Sequence, residues 1–499
     1  MLRYEEWLPR CDSSAVCKLH ACALVLHQMR PWIPFLALAA WLTAPALADS
    51  LPPATRAALT RLNVPEAAIS IVVRDVADGR RVLELNPEFP RSPASTMKLL
   101  PTWAALDLLG PAYAWKTRAY ADAPVVKGVL KGNLYLQGGG DPLLTIERWW
   151  RFVNDLRQTG LRSIEGDIVI DQSRFVAQDE RPEDFDGQFW RTYNVLPDAL
   201  LVNWQSSDFT IRPADDGQGI DLAIEPFPEG LVIENRVRLT SGRCVGQNRR
   251  VAYGIEPERP DHVVATGKLS ASCGPQTQRL AIMEPAQYAW GTFVTLWRQL
   301  GGQFRGGMLR APTPPNARLL LTHESEPLSE IVRVTNKYSS NMMARSLVLA
   351  IAAEMNGTPA DTVAGEATIV GWLRTRGLEF PELVIGNGSG LSREARMSAD
   401  SMAKLLAGAR ASRFAPEFLT SLSLGGLDGT LQERFREIDD PSRIRMKTGT
   451  LRDVSTISGY VTGRSGKVYA VVVFVNHPGA QNGVGEPIQA SVIDWVLKQ

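Results

Sequence analysis

Histidine and cysteine are both scarce in this chain, and each scarcity removes a class of chemistry. Five histidines occur in 499 residues. Three of them, His262, His323 and His477, lie beyond residue 48 and stand in no metal-ligand spacing, so neither a metal nor any other cofactor is expected. None has a G-x-S-x-G partner, which sets aside a Ser-His-Asp hydrolase. Neither sign of charge dominates: 54 basic side chains stand against 53 acidic ones. That balance gives no footing for nucleic acid or an anionic membrane as the main partner. No internal repeat or low-complexity tract is present. What remains, 44% hydrophobic and 21% charged residues, is the composition of a soluble globular protein long enough for two or three domains.

The N-terminus has the features of an export signal. Met29-Arg30 leads into the apolar run Pro31 to Leu47, broken by prolines and ending in the small residues of Ala46-Leu47-Ala48. A retained membrane anchor is the alternative, and the run is short for one. No cysteine follows it closely, which leaves no acceptor for a lipid. We expect Met29 to be the true start, residues 1–28 not to belong to the native protein, and residues 29–48 to be a signal peptide cut after Ala48. The protein would then be exported and periplasmic. Weak membrane association after cleavage stays open. Only Cys244 and Cys273 survive the cut. In an oxidising compartment a bridge between them is expected, worth roughly 3 to 4 kcal/mol by loop closure, with two free buried thiols as the alternative.

The stretch Ser92 to Gly110 carries the first candidate chemistry. Leu99, Leu100, Trp103, Leu106 and Leu109 recur near helical spacing, so a helix beginning close to Ser95 places Ser95 and Lys98 one turn apart on one face. A serine hydroxyl needs a base to become a nucleophile, and a buried lysine with a lowered pKa can be that base. Pro101 is expected to disturb the first turns. Alone, the pair could equally be a solvated lysine on an amphipathic helix.

Upstream, Ile69 to Val73 and Arg81 to Leu85 read as a hairpin turning at Asp78-Gly79. From Ala112 to Thr313 the texture changes, with strands at Gly132 to Gln137 and Ile168 to Asp171 and a helix over Ile146 to Leu161. Pro197 to Pro275 reads as short strands. Helices return at Leu328 to Met343 and Thr362 to Arg376. The chain closes with strands Ser455 to Val461 and Lys467 to Asn476 and a terminal helix Ile488 to Leu497. A site-bearing α/β (α+β) domain is therefore expected to be split by an insert.

Two further stretches supply what Ser95 needs. In Asn336-Lys-Tyr-Ser339-Ser-Asn341, Ser339 can relay a proton to a leaving amine and Asn341 can hold a peptide carbonyl. In Lys447-Thr448-Gly449-Thr450, Lys447 and Thr448 can bind a carboxylate and Gly449 lets a substrate backbone approach. The N–H of Thr450 can be an oxyanion donor beside that of Ser95. Each stretch also has a bland reading, as helix-capping residues or as an ordinary strand start with a solvated lysine.

The order S-x-x-K, S-x-N, K-T-G resembles the penicillin-binding protein and serine β-lactamase superfamily. Ser95 and Ser339 lie far apart, which is similar to the class C penicillin-binding protein 4 type, the D-alanyl-D-alanine carboxypeptidases/endopeptidases of peptidase family S13. Gly132-Asn-Leu through Gly140-Asp-Pro142, Gly388-Ser-Gly-Leu-Ser-Arg393 and Leu427-Asp-Gly-Thr-Leu431 resemble its recurring segments. Asn387 departs from the aspartate more often found before Gly-Ser-Gly in that family.

The resemblance implies a penicillin-binding/β-lactamase-like transpeptidase domain (49–111 and 314–499) split by two inserted, mainly β domains. These would be domain II (112–195 and 276–313) and domain III (196–275). It implies a serine D-Ala-D-Ala carboxypeptidase, DD-endopeptidase or both, acting on peptidoglycan stem peptides through an acyl-enzyme that β-lactams trap as covalent inhibitors. The expected roles are Ser95 nucleophile, Lys98 base and Ser339 proton relay, with Asn341, Lys447, Thr448, Gly449 and Thr450 binding substrate. Two alternatives stay open: a serine esterase or D-amino-acid amidase on the same site, and a cell-wall-binding or β-lactam-sensing protein that acylates without turnover.

Overall fold

The computed structural model describes residues 51–499 apart from Gln178. The expectations for residues 1–28 and 29–48 lie outside these described residues.

The segment Tyr469–Val475 is apolar at every position, a pattern that fits a strand buried on both faces. It forms the middle of a six-stranded antiparallel sheet. The order is Ser423–Leu424, Ile444–Leu451, Val454–Thr462, Val468–Asn476, Ile69–Asp75, Arg81–Leu85. The N-terminal hairpin thus seals against the last strand of the chain. Alternate side chains divide between two cores, as the two-residue period of a strand requires. Val72, Ala470, Val472 and Phe474 pack with the helices Leu99–Leu109, Asn341–Asn356 and Ala399–Ala411. Ile71, Val73, Val471, Val473 and Val475 pack on the other face with Leu59 and with Ile488, Val492 and Val496 of the terminal helix Gly485–Leu497. Helix Leu99–Leu109 is buried on every side through Asp107, which its near-continuous apolar sequence allows.

Residues between this domain's two parts form four smaller sheets. A five-stranded and a four-stranded sheet share a core with the helices Ile146–Gln158 and Pro285–Gln299. Two three-stranded sheets fill residues 206–281. Cys244 and Cys273 are disulfide-bonded there, their Cα atoms 5.1 Å apart. The whole is a mixed α/β architecture. Strand pairing crosses two of the expected boundaries. Arg318–Glu324 pairs with Lys116–Ala121, and Gln276–Ala281 pairs with Ser206–Pro213. Each partner lies far off in sequence, so no local cue marks the join.

One helix departs from expectation. Leu328 to Met343 is two helices, Leu328–Tyr338 and Asn341–Asn356, broken at Ser339-Ser340. Ser339 sits in the left-handed region at φ 60°, and the Ser340 hydroxyl accepts a bond from Met343 N at 3.3 Å, capping the second helix. Serine competes for backbone donors in this way at helix ends, which apolar periodicity does not register. Among the described residues, no helix is long and apolar enough to cross a membrane.

Candidate active site

Ser95 is held by the sheet rather than by its own helix. Pro93 and Ala94 bring the chain into a 3₁₀ turn, Ala94–Lys98, before the α-helix starts at Leu99. Pro101 therefore falls in the first α-helical turn, where a missing N–H costs least. Ala94 is fully buried with φ 45°, a conformation that an L-residue keeps only when its surroundings impose it. They do so from two sides. Thr456 on the adjacent strand donates to Pro93 O at 2.8 Å. Gly390, at φ 73°, presses so close that a Cβ there would lie 1.8 Å from Ala94 O. Gly390→Ala is expected to destabilise the fold by more than about 1 kcal/mol and to displace Ser95. A lowered melting temperature together with a lost acylation rate would bear this out, whereas unchanged values would contradict it.

Lys98 is completely buried, and its ammonium nitrogen lies 2.9 Å from Ser95 Oγ. It also donates to Asn341 Oδ1 at 2.7 Å and to the Ser389 carbonyl. No carboxylate is among these partners. Burial, and then the positive charges of Lys447 and Arg345, push the Lys98 pKa well below the usual lysine range. Lys447 is also fully buried, and burial lowers its pKa to about 7. It donates to Ser339 Oγ at 2.8 Å and to Thr448 O at 2.7 Å. The left-handed turn at Ser339 is what aims its hydroxyl at Lys447 while Asn341, first residue of the next helix, reaches Lys98.

Three distant segments of chain thus meet around Ser95. Thr448 Oγ1 donates to Thr430 Oγ1 at 2.8 Å, and Thr450 is exposed at the end of the strand. At Gly449 a Cβ would stand 2.3 Å from Thr456 Oγ1 and 2.7 Å from Ser95 N, so the missing side chain leaves room for the Thr456 hydroxyl and the Ser95 backbone. On the strand Ile444–Leu451, the edge strand Ser423–Leu424 pairs only with Met446 and Arg445. Among the described residues, no strand pairs with residues 447–451 on that edge.

Sequence reasoning missed several contributors. The Ser389 carbonyl and Thr430 lie in the segments Gly388–Arg393 and Leu427–Leu431, which the resemblance singled out without a role for either residue. Lys337 donates to Asp428 at 2.5 Å, tying the helix that ends at Ser339 to the loop bearing Thr430. Asn387 accepts from Ser389 N and Oγ through its amide oxygen, at 3.1 and 2.7 Å, a task that needs no negative charge.

The D-Ala-D-Ala carboxypeptidase 3 (S13) family matches residues 55–498. The chain belongs to that family. It is an S13 enzyme of the class C penicillin-binding protein 4 type. It is 30% identical over 473 residues to the D-alanyl-D-alanine carboxypeptidase of Actinomadura sp. (strain R39), covering 90% of this chain and 86% of the relative. It is 24% identical over 427 residues to the D-alanyl-D-alanine carboxypeptidase DacB of Haemophilus influenzae, covering 83% and 86%. The crystal structure of penicillin binding protein 4 from Haemophilus influenzae shares the fold of the S13 enzyme described here. Its TM-score is 0.77 at 22% identity, over 89% of this chain and 99% of that one. A second structure of that protein, complexed with a β-lactam, matches at a TM-score of 0.71.

Proposed function

We propose that this S13 enzyme is a serine-type hydrolase of D-alanyl bonds in peptidoglycan stem peptides, trimming terminal D-Ala and cutting cross-linked stems through an acyl-enzyme on Ser95. The observation that carries the reading is Lys98: a buried amine without an anionic partner, 2.9 Å from Ser95 Oγ. A lysine so placed is neutral enough to accept a proton. Lys98 Nζ takes the Ser95 proton as Oγ bonds to the penultimate D-Ala carbonyl carbon. The oxyanion is received by the N–H groups of Ser95 and Thr450. Ser339, hydrogen-bonded to Lys447, passes its proton to the departing amine as the C–N bond breaks and is restored by the proton that Lys98 took, which leaves Lys98 neutral again.

Asn341 holds the stem peptide. The unpaired strand edge at 447–451 receives it alongside, with Lys447 and Thr448 meeting the terminal carboxylate. Water then attacks the ester, giving a proton to the neutral Lys98, which returns it to Ser95 Oγ as the acyl C–O bond breaks and the acid leaves. A β-lactam takes the same first steps and stalls as a stable ester; the β-lactam complex of the Haemophilus relative supports this. Export through the signal at residues 29–48 to the periplasm fits the bridged Cys244 and Cys273. The inserted domains run from 112 past 313, since the strand Arg318–Glu324 pairs with Lys116–Ala121.

Purified enzyme given a D-Ala-D-Ala-terminated stem peptide and intact sacculi is expected to release D-Ala and to split dimeric stems. Hydrolysis of simple esters without D-Ala release would make it an esterase or amidase. Acylation without turnover would make it a sensor.

A further inference from the structure

The segment 179–195 crosses the site with almost no regular structure of its own, only the short 3₁₀ turn Thr192–Asn194. Such a strap stays in place through its attachments: Ala281 N donates to Trp190 O at 2.9 Å, away from Lys98, and three more reach the site. Glu180 makes a two-pronged ion pair with Arg345, at 2.8 and 3.0 Å. The Tyr193 carbonyl accepts from Asn341 Nδ2 at 3.0 Å. The Phe185 ring lies under the Arg393 guanidinium, 5.2 Å from its centroid. These three attachments fall on the two elements that hold Lys98. Asn341 and Arg345 are one turn apart on the helix Asn341–Asn356, and Arg393 ends the loop that presents the Ser389 carbonyl.

Arg345 has no role in the chemistry assigned above, yet it is 5% exposed and its Nε has no partner among the described residues. A guanidinium keeps its charge when buried. The hydrogen-bond partners of Lys98, namely Ser95, Asn341 and the Ser389 carbonyl, are all neutral, and the positive charges that act on it are Lys447 from its strand and Arg345, one turn from Asn341 on its helix. Both charges oppose protonation of Lys98. Glu180 is the anion that faces Arg345, and it comes from the strap.

We propose that Glu180 and Arg345 are positioning residues: their ion pair fastens the strap across Asn341 and sets the charge felt by Lys98, so that the strap governs the pH at which the base becomes available. The inference rests on Lys98 being the base and adds a control on it. Arg345 pushes Lys98 toward its neutral form, and Glu180 moderates that push. Removing Glu180 leaves Arg345 uncompensated, and Lys98 then gives up its proton at lower pH. Removing Arg345 leaves an anion in place of a cation, and Lys98 holds its proton to higher pH. A strap that served only as scaffolding would slow both variants without moving them in opposite directions.

The test is the rate constant for acylation by a fluorescent penicillin, measured against pH for the full chain and for Glu180→Gln, Arg345→Gln and Glu180→Asp. Wild type is expected to show an acid limb. Glu180→Gln should move its midpoint down by about half a pH unit or more, and Arg345→Gln should move it up by a similar amount. Glu180→Asp should return it toward wild type. Shifts in the same direction, or an unmoved midpoint in Glu180→Gln with the wild-type limb present, would overturn the proposal. If Arg345→Gln fails to fold, Glu180→Gln decides alone, since Glu180 is partly exposed and its exchange for the amide keeps the shape. A wild type with no acid limb would instead remove the reading of Lys98 as base, and this proposal with it.

Discussion

Ser95→Ala is expected to lose D-Ala release by about a millionfold while keeping the native fold. The expectation rests on which hydroxyl the buried amine serves. Lys98 Nζ has one hydroxyl among its hydrogen-bond partners, Ser95 Oγ, and the other nearby alcohol, Ser339, is held by Lys447 instead. Without Ser95 no second nucleophile stands ready. Its side chain is half-buried and makes no other side-chain bond, so the change in folding free energy should stay within about 0.5 kcal/mol. Release of D-Ala from a stem peptide, read beside the melting temperature, checks both halves. Activity within tenfold of wild type would place the nucleophile elsewhere.

Lys98→Met comes next in size, with acylation expected to fall by about 10²- to 10⁴-fold, the span that general-base catalysis contributes. Methionine nearly matches the lysine stem in length, so the core that buries residue 98 stays filled while the proton acceptor goes. The substitution also has a stability signature. Burial holds Lys98 far below its ordinary pKa and Lys447 at about 7, so between those values and the unfolded value near 10.4 the unfolded chain binds more protons than the folded one. Stability of the wild type therefore rises as pH is raised from about 7 toward 10, and falls as these amines must be protonated. Lys98→Met removes one contributor and should flatten that rise. Denaturant midpoints across this pH range measure it, and an unchanged slope would mean that residue 98 is not the strained amine described.

Much of this architecture is legible before folding because it follows from local pattern. The apolar run at 468–475 and the turn at Asp78-Gly79 are each set by a few neighbouring residues. The spacing of Ser95 and Lys98 likewise follows from a single turn. What stays hidden depends on partners remote in sequence. The helix break at Ser339 comes from serine caps that interrupt a continuous apolar stripe. The place of Gly449 is dictated by Thr456 and by the backbone of Ser95, and the strand Arg318–Glu324 finds its mate at Lys116–Ala121. The Ser389 carbonyl is a backbone atom, so no side-chain motif could announce its bond to Lys98. Glu180 and Arg345 are ordinary surface-type residues until the fold pairs them one turn along the helix from Asn341, which bonds that lysine.

The most direct measurement is the site of the covalent bond itself. After brief exposure to a β-lactam, the intact protein should gain the mass of one opened drug molecule, and digestion should place it on the peptide containing Ser95. An adduct on any other peptide, or one that forms equally in Ser95→Ala, would contradict the account.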